Sequence, residues 1–229
     1  VFDFVDFLGY FDNAYLLRGV GVTVLLTVFP MLAGLALGMV LAFARASGRP
    51  VPSALAGAYI WVFRGTPLIV QLVIIYTGLP QLGVKFNVAT SAFIGLSLNE
   101  AAYLSEIIRA GFAAVPPGQR DAARALGLRP WQILWIITLP QAMRIMLPPL
   151  GNSVNSLLKA TSITSVISME EMMRRGQVLM QLKFDVLEVY CAIAVYYLLL
   201  TSLWDVAQRA MERRANRGHA VQGKVPQIA

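Results

Sequence analysis

The interval Val115–Pro140 reads VPPGQRDAARALGLRPWQILWIITLP, and its punctuation decides how the whole chain is read. Pro116-Pro117-Gly118 stops the helix before it. Gln119 to Leu126 is built from Ala, Arg and Leu, all good helix formers. Asp121 is assigned to the first turn, where a negative charge suits the helix dipole. Gly127 is placed to end the helix in a left-handed conformation. Pro130 then opens the next helix at its first position, where a missing N–H costs nothing. The product is a short polar helix with small side chains at Ala122, Ala123 and Ala125, held between two longer elements. Such a helix can press into a groove on another protein.

Outward from this interval the chain becomes strongly apolar. Of 229 residues, 57% are hydrophobic and 14% charged, with a mean hydropathy of +0.64. A soluble domain carries a more even balance. The apolar residues gather into segments near the roughly 20 residues that a helix needs to cross a bilayer. Five are read: Gly19–Ala44, Gly65–Val84, Phe86–Ala114, Ala142–Ile163 and Val186–Val206. Gly34 and Gly38 in the first open its surface to close approach by another helix. RASGRPVP at Arg45–Pro52 is loop chemistry, and an amphipathic piece, Ser53–Phe63, leads into the second. Phe4, Phe7 and Phe11 recur at helical spacing beside Phe2 and Tyr10, which predicts an interfacial helix. The expected fold is all-α and integral to the membrane, with five spans. Residues 1–18 form the interfacial segment, 19–210 the membrane unit with the 115–140 loop inside it, and 211–229 a cytoplasmic tail, polar and mobile from Arg213 onward.

Five crossings put the two ends on opposite sides, and basic residues choose which. With the C-terminus inside, thirteen of the nineteen Lys and Arg fall in cytoplasmic segments, among them Arg45, Arg49, Arg120, Arg124, Arg129 and Arg213. Only Arg18, Lys85, Arg174, Arg175 and Lys183 fall outside. The N-terminus is therefore read as outside and the C-terminus as cytoplasmic. The net charge of +7 then needs no nucleic acid to explain it. The single Cys191 has no partner for a disulfide within the chain, and the single His219 excludes a His/Cys metal site. Met169, Met172, Met173 and Met180 read as packing residues. The opening stretch, Val1–Asn13, has three Asp and no basic residue, unlike a secretory signal. No phosphate-binding G-x-x-x-x-G-K-[ST] occurs; the nearest pair, Gly223-Lys224, lacks the following Ser or Thr.

The spacing Asp121-Ala122-Ala123, Gly127, Ile137, Leu139-Pro140 resembles the EAA loop of type I importer permeases in the ABC transporter superfamily. FRGTPLIVQL at Phe63–Leu72, EAAYLSEIIRAGFAAVPPGQ at Glu100–Gln119 and LPPLGNSVNSLLKATS at Leu147–Ser162 are similar to the polar amino acid branch of that family. Asp121 stands where Glu is usual, and Lys159-Ala160-Thr161-Ser162 stands where the family often has Lys-Asp-Thr-Ser. The resemblance implies an inner-membrane permease that imports a polar amino acid or a related solute such as an opine. It implies a second permease subunit, identical or not, two ATP-binding subunits that hold ATP and Mg, and an external solute-binding protein. Gln119, Asp121, Ala122, Ala123, Arg124, Ala125, Leu126 and Gly127 would then couple to the ATPase. No catalytic residue, cofactor or metal is assigned to this chain, which is not an enzyme by itself.

Charged groups in a span are costly, so Glu100, Glu106 and Arg109 must face protein, water or each other. Glu106 and Arg109 are spaced to pair on one helical face. Glu100 has no local partner, and with Tyr103 one turn on it marks a candidate substrate path. Gln71 and Asn99 join that set as polar residues in apolar surroundings, although interhelical hydrogen bonds explain them too. Thr161 and Ser162 follow a helix read as ending near Lys159, as ligand contacts or as caps. Arg64 reads as an interface anchor or a group that orients a charged solute. Two other classes compete: a passive channel or ion-coupled carrier, and a membrane scaffold that binds an ATPase without transporting.

Overall fold

The computed structural model describes residues 2–216, and helices account for nearly all of them. Its centre is a pair of helices, α2 (Ala14–Ala46) and α5 (Val88–Ala113). Asn13 caps α2 by accepting from the N–H groups of Tyr15 and Leu16, and Asn87 caps α5 through Thr90. The two approach closely because Gly34 and Gly38 carry no side chain. A Cβ on Gly34 would lie 3.1 Å from the Glu100 Cβ, and one on Gly38 would lie 3.1 Å from the Ala101 carbonyl oxygen. The facing surface of α5 is small and buried, with Ser97, Ala101 and Ser105. Glycine on one helix and small residues on the other make the contact that sequence alone pointed to.

The second apolar segment is not one rod. α3 (Pro50–Gly65) absorbs the amphipathic piece and stops at Thr66. α4 (Leu68–Val73) follows at 105° to it and continues as a π-helical turn, Ile74–Gly78, and a 3-10 turn, Leu79–Leu82. Thr66 is extended because it precedes Pro67, which disfavours the helical conformation behind it. The expected straight span Gly65–Val84 is therefore one limb of a bent pair. Among the described residues, three helical stretches are long and apolar enough to cross a membrane, and the bent pair adds a fourth. α5, the charged and most enclosed helix, has 26 residues and reaches about 39 Å at 1.5 Å per residue, enough for a fifth.

α6 (Pro117–Ala125) is the short helix expected between spans, but it begins two residues earlier than read. Asp121 is thus its fifth residue, beyond the first turn, and pairs with Arg124 at 3.1 Å instead of serving the dipole. Gly127 has φ +79°, the left-handed turn expected, and its N–H reaches the Arg124 carbonyl at 2.9 Å. The fourth segment is a helical rod of 38 residues, Pro130–Ile167, longer at both ends than Ala142–Ile163. It runs through α7 (Pro130–Gln132), a π turn (Ile133–Thr138), α8 (Leu139–Ala160) and a 3-10 turn (Thr161–Ile167), so it does not end at Lys159. The π turn has a local cause. Pro140 has no N–H to give, its ring crowds the carbonyl four residues back, and a widened turn just ahead relieves the clash. The same device precedes Pro80 in the second segment.

α9 (Met172–Lys183) and α10 (Val186–Asn216) complete the far end. The buried Glu171 carboxylate caps α9 through the N–H groups of Met173 and Arg174, and also accepts from the hydroxyls of Thr23 and Tyr197. One side chain thereby ties α2, α9 and α10. Burial pushes its carboxyl up, against the pull of these donors. Met172, Met173 and Met180 pack in this core, as their composition suggested. The N-terminal helix α1 (Phe4–Gly9) docks on α10: Tyr10 is buried, its hydroxyl donates to Asp185 at 2.9 Å, and Phe11 meets Tyr196. Burial, with Asp185 next to it, raises the Tyr10 phenol. Phe4, Val5 and Leu8 remain exposed. α10 carries the chain in helical form to Asn216, through the first residues read as tail. Its remainder, with His219, lies outside the described residues.

Candidate functional site

The short helix α6 presents two faces. Ala123 is buried against the rod, while Gln119, Asp121, Ala122, Arg124, Ala125, Leu126 and Gly127 are exposed. Leu126 is 81% exposed at the end of the helix, next to the Asp121–Arg124 ion pair. The exposed surface thus combines a leucine, two alanines and a charged pair, a mixture that a protein groove can cover. Gln119 leans the other way and accepts from Gln141 on the rod.

A cavity of about 880 Å³ lies between α5 and α8. It follows α5 from Asn99 to Ala114, about 22 Å at the helical rise, so one end stops beside the segment that leads into α6. Four charged groups border it. Glu106 and Arg109 neutralise each other, with Nη2 and Oε2 2.8 Å apart, as their spacing predicted. Glu100 and Arg64 are left over. Glu100 is 7% exposed, and its Oε1 is buried without a hydrogen-bond partner. Arg64 makes no ion pair among the described residues and stacks over the Tyr103 ring at 5.3 Å. A buried carboxylate oxygen with nothing to accept from is expensive, so this position calls for a hydrogen-bond donor from the cavity side.

The six candidate path residues separate by position. Asn99, Glu100 and Tyr103 border the cavity; Gln71, Thr161 and Ser162 do not. Gln71 instead repairs the bend of the second segment. Pro67 has no N–H for the Phe63 carbonyl, and the Gln71 Nε2 reaches that oxygen at 2.9 Å and Thr66 Oγ1 at 2.9 Å. Asn99 donates to Gln71 Oε1 at 3.0 Å and to the Phe63 carbonyl at 3.2 Å, which fastens the bend to α5. Thr161 is buried and donates to the Leu158 carbonyl at 2.8 Å, while Ser162 donates to that of Lys159 at 2.7 Å. Asn152, Ser153 and Ser156 border the cavity from α8 and were not singled out from sequence. Their i, i+1, i+4 spacing on one face of an apolar rod is the signal that would have found them.

The family described as "Binding-protein-dependent transport system inner membrane component" matches residues 34–217. The "Probable amino-acid ABC transporter permease protein YckA" of Bacillus subtilis is 38% identical over 200 residues, covering 87% of this chain and 88% of the relative. The glutamine transport system permease protein GlnP of Escherichia coli is 36% identical over 201 residues, covering 87% and 92%. Among solved structures, the crystal structure of an amino acid ABC transporter with histidines superposes with a TM-score of 0.87 at 34% identity, covering 93% of this chain and 99% of the other.

Proposed function

The chain belongs to the family of binding-protein-dependent transport system inner membrane components and is an amino-acid ABC transporter permease rather than an enzyme; on that premise we propose that it forms half of the path by which an importer carries a polar amino acid, or an opine-like relative, across a bacterial cytoplasmic membrane. A second permease subunit supplies the other half. Two ATPase subunits hold ATP and Mg and dock on α6 through Asp121, Ala122, Arg124, Ala125 and Leu126, while an external solute-binding protein delivers the ligand. The N-terminus lies outside and the C-terminus in the cytoplasm.

One observation carries the assignment of the path: the cavity is bordered by one carboxylate, Glu100, and one guanidinium, Arg64, that make no ion pair among the described residues. An amino acid has the complementary pair. Its ammonium group suits Glu100 and its carboxylate suits Arg64, while Asn99, Tyr103, Asn152 and Ser153 offer neutral hydrogen bonds to the remainder. The paired Glu106 and Arg109 add no net charge, so the cavity as a whole favours a zwitterion. Closure of the ATPase subunits on ATP would draw the two coupling helices together, and the spans would rock as rigid bodies around the cavity.

The test uses the purified assembly in vesicles with its binding protein. Amino acids are screened for stimulation of ATP hydrolysis, and uptake is then measured for Glu100→Gln, Asp121→Lys and Gly127→Pro. Glu100→Gln is expected to weaken uptake at low substrate and to leave the assembly intact. Asp121→Lys and Gly127→Pro are expected to abolish ATP-dependent uptake with normal membrane insertion. Solute movement by the chain alone, without ATP, would instead favour a channel or carrier. Full uptake in all three variants would sink the reading.

A further inference from the structure

α6 has little apolar purchase on the rod. Ala123 is its one buried side chain, and the helix is joined to its neighbours by the three-residue link Ala114–Pro116 and by Leu126–Arg129. Val115 is buried in one core cluster with Ala142 and Met146 of α8, while Pro116 and Gly127 are the points at which α6 itself can turn. A single polar contact bridges the gap. Gln141 lies one turn beyond the π turn, at the start of α8, and its Nε2 amide donates both to the Gln119 side-chain oxygen on α6 and to the Ile137 carbonyl within the rod, the latter at 2.8 Å. Among the described residues this is the only side-chain hydrogen bond between α6 and the rod. The amide has two protons, and both are committed: one to the helix that moves, one to the element that must move with it.

We propose that Gln141 is a positioning residue that transmits displacement of α6 to the fourth span. This rests on the docking reading of α6 above. The contact acts as a lateral strut. With it, α6 and the first turns of α8 shift together; without it, α6 swivels about Gly127 and Pro116, and the nucleotide cycle turns over with less solute moved. The chemistry requires a donor at position 141, and Lys can supply it whereas Leu cannot.

The assembled transporter in vesicles is assayed for two quantities at once, ATP hydrolysed and amino acid taken up. Gln141→Leu is expected to leave ATP hydrolysis in place and to lower uptake per ATP by roughly three- to tenfold, the weight of one hydrogen bond. Gln141→Lys is expected to restore most of the ratio, and Gln119→Leu added to Gln141→Leu to lower it no further, because both remove one contact. An unchanged ratio in Gln141→Leu overturns the proposal, as does equal loss in Gln141→Lys or a further additive loss in the double variant. A parallel crosslink from Ala122→Cys to the ATPase subunit separates the two readings. If that crosslink fails in otherwise unaltered protein, docking itself is wrong; if it forms while Gln141→Leu couples normally, only the strut is wrong.

Discussion

Pro67 takes one N–H out of the second segment, and two side chains put the donor back. Gln71 and Asn99 converge on the Phe63 carbonyl, so the bend is a satisfied structure and not a strained one. Gln71→Leu keeps the shape of the side chain but leaves Asn99 as the only side-chain donor to that carbonyl and takes from Asn99 its second acceptor. The expected cost is about 0.5–1.5 kcal/mol for each hydrogen bond lost, read as a lower midpoint of thermal unfolding in detergent. Both residues were visible in the sequence as polar positions in apolar surroundings, but not their purpose: Asn99 lies 36 residues from the carbonyl it serves. The Glu106–Arg109 pair was legible because its partners are three residues apart on one helix, where spacing alone fixes contact. Thr161 and Ser162 were drawn into the path by a presumed helix end at Lys159; the rod continues, and their hydroxyls turn back to their own backbone.

Elements were easiest to read where one residue type dictates the backbone. Gly127 and Pro130 set the end of α6 and the start of the rod, and Gly34 and Gly38 announced a close helix neighbour. What escaped was continuity. The fourth span was read as starting at Ala142, although the helix opened by Pro130 runs into it unbroken through Trp131–Thr138. Gly38→Val tests the central contact. Its Cβ would already be 3.1 Å from the Leu104 Cβ and from a backbone oxygen of α5, and the two methyl groups beyond have nowhere to go. Overpacking of this kind costs roughly 1–3 kcal/mol, and the expected outcome is reduced thermal stability with broadened size-exclusion profiles. Gly21→Val, at a site with open space around it, should behave as the unmodified protein does.

At the scale of the whole molecule, orientation rests on charge, and it has a direct check. Leu126 at the tip of α6 and Phe184 between α9 and α10 are 81% and 83% exposed at loop ends assigned to opposite faces. With Cys191 first replaced by Ser, a cysteine at position 126 should react with an impermeant thiol reagent only from the cytoplasmic face, and one at position 184 only from the outer face. Reversed labelling would invert the topology, and labelling of both from one side would break the count of crossings. The widened turn at Ile133–Thr138 has one further consequence. It takes up one residue more than an ordinary helical ring, so everything on its inner side is rotated by about 100° around the rod axis compared with a regular helix. On the proposed docking of α6, the turn sets the bearing of the rod end from which that helix is carried. Losing one residue from the turn would leave every side chain of that helix intact and aim them all at the wrong quarter, which makes the length of this interval as much a part of the mechanism as its chemistry.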